Sequence, residues 1–134
     1  MNGGKFSQSS NNQLSTCHWD LQRLFLNVVC VHDCTIVQGY RGEYDQNQAF
    51  NAGASQKQYP DGMHNGRPSL AVDVQPFPYP NKKDVVKAFY LLAGVVFSHA
   101  KLLGIRVRWG GDWNSNGIFT DQKFNDLFHW EVVE

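Results

Sequence analysis

The chain has no excess of either charge. Its 134 residues carry twelve Lys and Arg against twelve Asp and Glu, so no global field favours nucleic acid or an anionic membrane. Neither a nucleic-acid partner nor a stable membrane association is expected, and a monomer is. Cysteine is scarce: Cys17, Cys30 and Cys34 make an odd count. Reduced thiols are the expectation in a chain without a secretory leader. None is visible, because the opening MNGGKFSQSSNNQ has no charged segment followed by an apolar one. Long apolar runs are missing too. The longest, AFYLLAGVVF (Ala88 to Phe97), is too short to span a bilayer. These absences point to a soluble protein made in the cytoplasm, which acts elsewhere only if another agent lets it out. There is no repeat and no low-complexity linker. With 42% hydrophobic residues, residues 1–134 are expected to form one domain around a real core.

Against this background the apolar pattern is informative. Apolar residues recur at Leu14, Leu21, Leu24, Phe25, Val28 and Val29, a spacing that predicts one amphipathic helix from Leu14 to Val31, with Ser15 or Thr16 as its cap. TIVQGY (Thr35 to Tyr40) is strand-like. EYDQNQAFNAG predicts a short helix stopped by Gly53. A long polar loop, 54–68, follows, of the kind that often carries function. SLAVDVQ is a strand, and KKDVVKAFYLLAGVVFSHAKLLG the longest helix, with Val85, Phe89, Leu92, Val96 and Leu103 on its buried side and Gly104 at its end. IRVRW alternates as a half-buried strand, and HWEVV is a last strand with His129 and Glu131 on one face and Trp130 and Val132 on the other. The sum is an α+β fold: a small, mostly antiparallel sheet with flanking helices.

SLAVDV carries a carboxylate inside a strand. A lone buried carboxylate costs several kcal/mol or more unless it is paired or metal-bound. Period two puts Leu70, Val72 and Val74 on one face and Ser69, Ala71 and Asp73 on the other. Asp73 therefore projects from a face of small residues, with room above it. His64 lies nine residues upstream and His129 opens the last strand. Two His and one Asp make a suitable zinc shell with the fourth position left to water. Spacing alone does not select this triad: five histidines permit many, and a lone His is more often a hydrogen-bonded or surface residue. Asp126, three residues before His129, could lie beside a metal as a base, or be a turn residue.

HNGRPSLAVDVQPFPYP, GIRVRWGGDW and FNDLFHWEV, in that order, make the chain resemble the peptidoglycan peptidases that include VanY-like D-alanyl-D-alanine carboxypeptidases and phage L-alanyl-D-glutamate endopeptidases, which share the hedgehog/DD-peptidase fold. The resemblance runs from about Phe6 to the C-terminus. It implies a catalytic peptidase domain in which His64, Asp73 and His129 bind zinc, Asp126 is the general base, and Arg41 of IVQGYR holds substrate or stabilises the developing oxyanion. It implies cleavage of the L-alanyl-D-glutamate bond of the peptidoglycan stem peptide, with D-alanyl-D-alanine carboxypeptidase action or a non-catalytic metal-binding module as alternatives. It also implies an endolysin that reaches the cell wall through a holin. Two departures stand out. Many relatives have a serine where this chain has Gly62, so that serine's hydrogen bond must be absent or replaced. The gap from His64 to Asp73 is lengthened around Arg67 and Pro68. Glu131 shares a strand face with His129, and could orient that ligand or simply be solvated.

DWNSNGIFTD has the opening of a calcium loop, with Asp112, Asn114 and Asn116 at alternate positions, Gly117 at the turn, and the Ile118 carbonyl next. It departs at the end, where Lys123 replaces the closing Glu and Asp121 would have to serve. A polar turn without an ion is the alternative. CVHDC (Cys30 to Cys34) looks like a soft-metal cluster, but structural zinc usually draws four ligands from two separated pairs, and small buried thiols are common at such element ends. Trp109, Trp113 and Trp130 could pack against glycan, although aromatics near a sheet are more often core.

Overall fold

The computed structural model describes residues 4–134; residues 1–3, the first part of the polar opening, lie outside them. Four strands, β1 (Cys34–Gln38), β2 (Ala71–Pro76), β3 (Val107–Trp109) and β4 (His129–Val132), form one sheet in the order β1-β2-β4-β3, and every pairing is antiparallel. Four helices complete the α+β architecture: α1 (Gln8–Leu14), α2 (Trp19–Val28), α3 (Glu43–Asn51) and α4 (Val85–Leu103).

The valine face of β2 enters the core as its parity requires. Val72 and Val74 are fully buried with Ile36, Trp109 and Trp130, under Leu21, Leu24 and Phe25 of α2 and Leu92 and Val96 of α4. Each such side chain contributes about 1.5–3 kcal/mol on burial. Trp109 and Trp130 are direct cross-strand partners, with stacked rings 5.6 Å apart, and so are core residues. Gly104, at φ +71°, ends α4 in the left-handed region that glycine tolerates.

Two expectations need correction. The apolar spacing from Leu14 to Val31 is divided between two helices. Between them Thr16 and Cys17 leave the helix to pair with the segment before β2: Ser69 N donates to Thr16 O and His18 N to Ser69 O. The cap of α2 is His18, whose Nδ1 accepts from Asp20 N at 3.0 Å, rather than Ser15 or Thr16. The polar α1 covers the outer edge of β1, where Ser10 Oγ and Gln13 Oε1 accept from Ile36 N and Gly39 N, supplying partners that an edge strand lacks. The second correction concerns α4. Its 19 residues are long and apolar enough to cross a membrane, by length and composition only; the ten-residue run understates it. One side, Phe89, Leu92, Ala93, Val96 and Ala100, lies in the protein core.

Candidate metal centre

Asp73 and His129 face each other across the β2–β4 ladder, so their side chains share one face at close range. His64 arrives from a short 3₁₀ turn, Met63–Asn65, in the long loop. Its Nδ1 lies 2.8 Å from Gly39 O just past β1. A carbonyl can only accept, so Nδ1 carries the proton and Nε2 keeps its lone pair. His129 is fixed the opposite way round. Its Nε2 lies 2.8 Å from Glu131 Oε1, which holds the proton there and turns Nδ1 inward. Both lone pairs converge on one oxygen: His64 Nε2 is 3.2 Å and His129 Nδ1 3.7 Å from Asp73 Oδ1.

His64 Nε2 and Asp73 Oδ1 are buried and make no hydrogen bond. Leaving such groups unsatisfied costs about 1–3 kcal/mol each, and a cation among them removes that cost. The three ligand atoms lie within 4.8 Å of one another, and two imidazoles with one carboxylate suit a metal such as zinc. Without a cation the same charges act on protons. Burial pushes Asp73 up, but the two imidazoles outweigh it and hold Asp73 well below the usual carboxylate range. Burial pushes His129 down, and Asp73 and Glu131 outweigh that, raising it to about 9. A proton on Nδ1 then stands in for the ion, so metal binding releases it.

Around this centre lies a cleft of about 410 Å³. Asp126 lines it; burial first, then the Asp73 charge, raise its carboxyl above the ordinary range. Its backbone is set by two hydrogen bonds, Asp126 N to Gly110 O and His129 N to Asp126 O. At Gly110 a β-carbon would sit 2.0 Å from Asp126 O, so the close approach demands glycine. Trp113 forms another wall, its ring 5.2 Å from that of His129 and its Nε1 donating to Phe124 O at 2.7 Å. Arg41 donates through Nη2 to Asp73 Oδ2 at 3.1 Å and through Nη1 to Gln46 Oε1 at 3.1 Å. Glu131 is 4% exposed and bonded to both His129 and Arg108, so it orients His129; its pKa is raised by burial but lowered on balance by these partners.

The model of the family described as phage L-alanyl-D-glutamate peptidase matches residues 2–133. The L-alanyl-D-glutamate peptidase of Escherichia phage T5 is 31% identical over 124 residues, covering 88% of either chain. The chain belongs to the phage L-alanyl-D-glutamate peptidase family. A crystal structure of a Serratia marcescens L-Ala D-Glu endopeptidase shares the fold, with a TM-score of 0.73 at 24% identity over 96% of this chain and 89% of the other.

Within this family chain, the structure brings His64, Asp73, His129, Asp126, Arg41 and Glu131 to one cleft. Sequence reasoning missed two participants. Gln46 is 1% exposed and bonds Arg41, Asn65, Ser55 and the Lys57 carbonyl; in sequence it is one polar residue among several on a helix. Arg108 sits opposite Glu131 in the β3–β4 register, which the alternation of IRVRW and HWEVV could have suggested. The missing serine is also accounted for. A β-carbon at Gly62 would lie 2.7 Å from Asn65 Oδ1 and 2.9 Å from Gln46 Cδ, so two amides occupy the serine's space. In the Asp112 loop, Asp112 Oδ2 accepts from Gly117 N at 2.8 Å, and Asn116 Nδ2 donates to Asp121 Oδ2 at 2.6 Å. In CVHDC, Cys34 is buried at the start of β1 and Cys30 is exposed.

Proposed function

We propose that the protein is a zinc-dependent endopeptidase that cleaves the L-alanyl-D-glutamate bond of the peptidoglycan stem peptide. One observation carries this reading beyond family membership: His64 Nε2 and Asp73 Oδ1, both buried without a hydrogen-bond partner, converge with the tautomer-fixed His129 Nδ1 beside a cleft that also holds Asp126. His64, Asp73 and His129 would hold the ion. A bound zinc supplies Lewis acidity, lowering the pKa of a water toward ~7 and polarising a carbonyl. The chain supplies the rest. Asp126 takes the proton of the attacking water and returns it to the leaving amine, and its raised pKa suits that return. Arg41, held by Asp73 and Gln46, places a fixed guanidinium at the cleft to hold substrate or stabilise the oxyanion. Glu131 keeps His129 in its ligating tautomer. The protein acts as a single-domain monomer, made in the cytoplasm and released to the wall through a holin.

Digestion of purified peptidoglycan, with fragments read by mass spectrometry, tests the reaction. New D-glutamate amino termini are expected. Released D-alanine would select the carboxypeptidase, and no cleavage with zinc bound would leave a metal-binding module. Asp126→Ala should keep its zinc and lose turnover by a factor on the order of 10²–10⁴; full activity would remove Asp126 as the base.

We also propose that the Asp112 loop binds calcium weakly, through Asp112, Asn114, Asn116, the Ile118 carbonyl and Asp121. The joining of Asp112 and Asp121 through Asn116 supports it, and the few charged ligands set the affinity low. Calorimetric titration with calcium, alongside Asp112→Ala, checks this: heat of binding in the parent and none in the variant.

A further inference from the structure

Two guanidinium groups line the cleft, and their donors are committed differently. Arg41 spends one terminal nitrogen on Gln46 and the other on Asp73, so it is tied to the floor of the site. Arg108 gives Nε and Nη2 to a single oxygen, Glu131 Oε2, at 3.1 and 2.6 Å. That leaves Nη1 outside the pair. The Arg108 side chain is 43% exposed, whereas that of Glu131 is 5% exposed. Glu131 in turn bonds His129 Nε2, so Arg108 stands one side chain away from a ligating imidazole.

The substrate named in the proposed function, on which this inference rests, has a charge that must be met here. In an L-alanyl-D-glutamate bond the leaving nitrogen sits on the α-carbon of D-glutamate. The stem peptide continues through the γ-carboxyl, so the α-carboxylate remains free on that same α-carbon. Any peptide presenting this bond to the centre therefore brings a full negative charge close beside it. The cleft wall already carries Asp61, Asp126 and Glu131. A further carboxylate needs a cation with donors to spare, and a guanidinium edge offers charge-assisted hydrogen bonds in a fixed direction. Lys57 also lines the cleft, but it belongs to the loop that Gln46 ties down through the Lys57 carbonyl, whereas Arg108 adjoins the carboxylate that orients His129.

We propose that Arg108 is a specificity-determining residue whose free guanidinium edge binds the α-carboxylate of D-glutamate, so that the protein selects stem peptides with the free acid over those carrying the α-amide.

Two synthetic stem peptides, identical except for D-glutamate or D-isoglutamine after L-alanine, test this with the zinc-loaded protein. The parent should prefer the acid by roughly tenfold or more in kcat/KM. Arg108→Gln should bring the ratio near one, Arg108→Lys should restore part of it, and Lys57→Gln should leave it unchanged. A parent that cleaves neither peptide overturns the endopeptidase reading itself. A parent that cleaves both equally, or an Arg108→Gln variant that keeps the parent's preference, overturns the role of Arg108 alone. Should Arg108→Gln turn over neither peptide, calorimetric binding of the two γ-linked product peptides reads the same discrimination without turnover. Loss of the acid preference there supports the proposal, and its retention overturns it.

Discussion

Asp73 shows how one carboxylate divides its work. Oδ2 accepts from Arg41, while Oδ1 faces two imidazoles and bonds neither. The charge is balanced on one side by a permanent cation, and on the other by whatever stands between the rings. Asp73→Ala should therefore do more than delete a ligand. It should lower zinc occupancy and turnover together, and leave Arg41 held by Gln46 alone. Metal analysis of the purified variant beside its activity checks this; full zinc content would mean the ligand set is misassigned. At Gly62 the sequence pointed to a lost serine, and the structure gives the reason: Asn65 and Gln46 fill the volume. Gly62→Ser, a return to the relatives' residue, should therefore destabilise the protein by about 1–3 kcal/mol, the usual penalty for overpacking, as read by denaturant unfolding.

At the scale of elements, the site depends on how two hairpin-like halves are spliced. The turn after β3 brings Gly110 against the backbone of Asp126, so Gly110→Ala must displace Asp126 from its place in the cleft. Retained zinc with reduced turnover is expected, because His129 is anchored separately by its ladder and by Glu131. The readable parts of the fold were those where a period settles the matter. Strand parity separated Asp73 from Val72 and Val74, and placed Glu131 with His129. The break between α1 and α2 was not readable, because Leu14 and Leu21 enter the same core and so keep a helical spacing across a non-helical link. Gln46 was hidden for a related reason. A buried amide satisfied by four hydrogen-bonding contacts looks, in sequence, like an ordinary solvent-facing residue. Residue types and order pointed to the candidate ligands; which nitrogen each histidine presents depends on Gly39 O and on Glu131, distant or alternative partners that only the fold selects.

For the molecule as a whole, the three thiols report on packing. Cys17 and Cys34 are 2% and 1% exposed, and Cys30 is open to solvent. Burial pushes both hidden thiols up to about 12 from 9.0. Their folded pKa values lie above the unfolded ones, so the stability they lend is complete below pH 9.0 and is lost as pH rises toward 12. A thiol reagent at neutral pH should find one reactive cysteine in the native protein and three in denaturant; two native reactive thiols would show the core misplaced. A zinc ion held as proposed by His64, Asp73 and His129 would act on the same global equilibrium, because those three residues meet only in the folded state: chelation should lower the melting temperature, and added zinc restore it.

The strand order carries a consequence in time. β4 is the last strand along the chain, yet it lies between β2 and β3 and brings His129 and Glu131 with it. Until β4 is in place, β2 and β3 lack the strand that lies between them, and the proposed metal centre lacks His129. The strand that comes fourth in the sequence is thus the one that closes both the sheet and the proposed site.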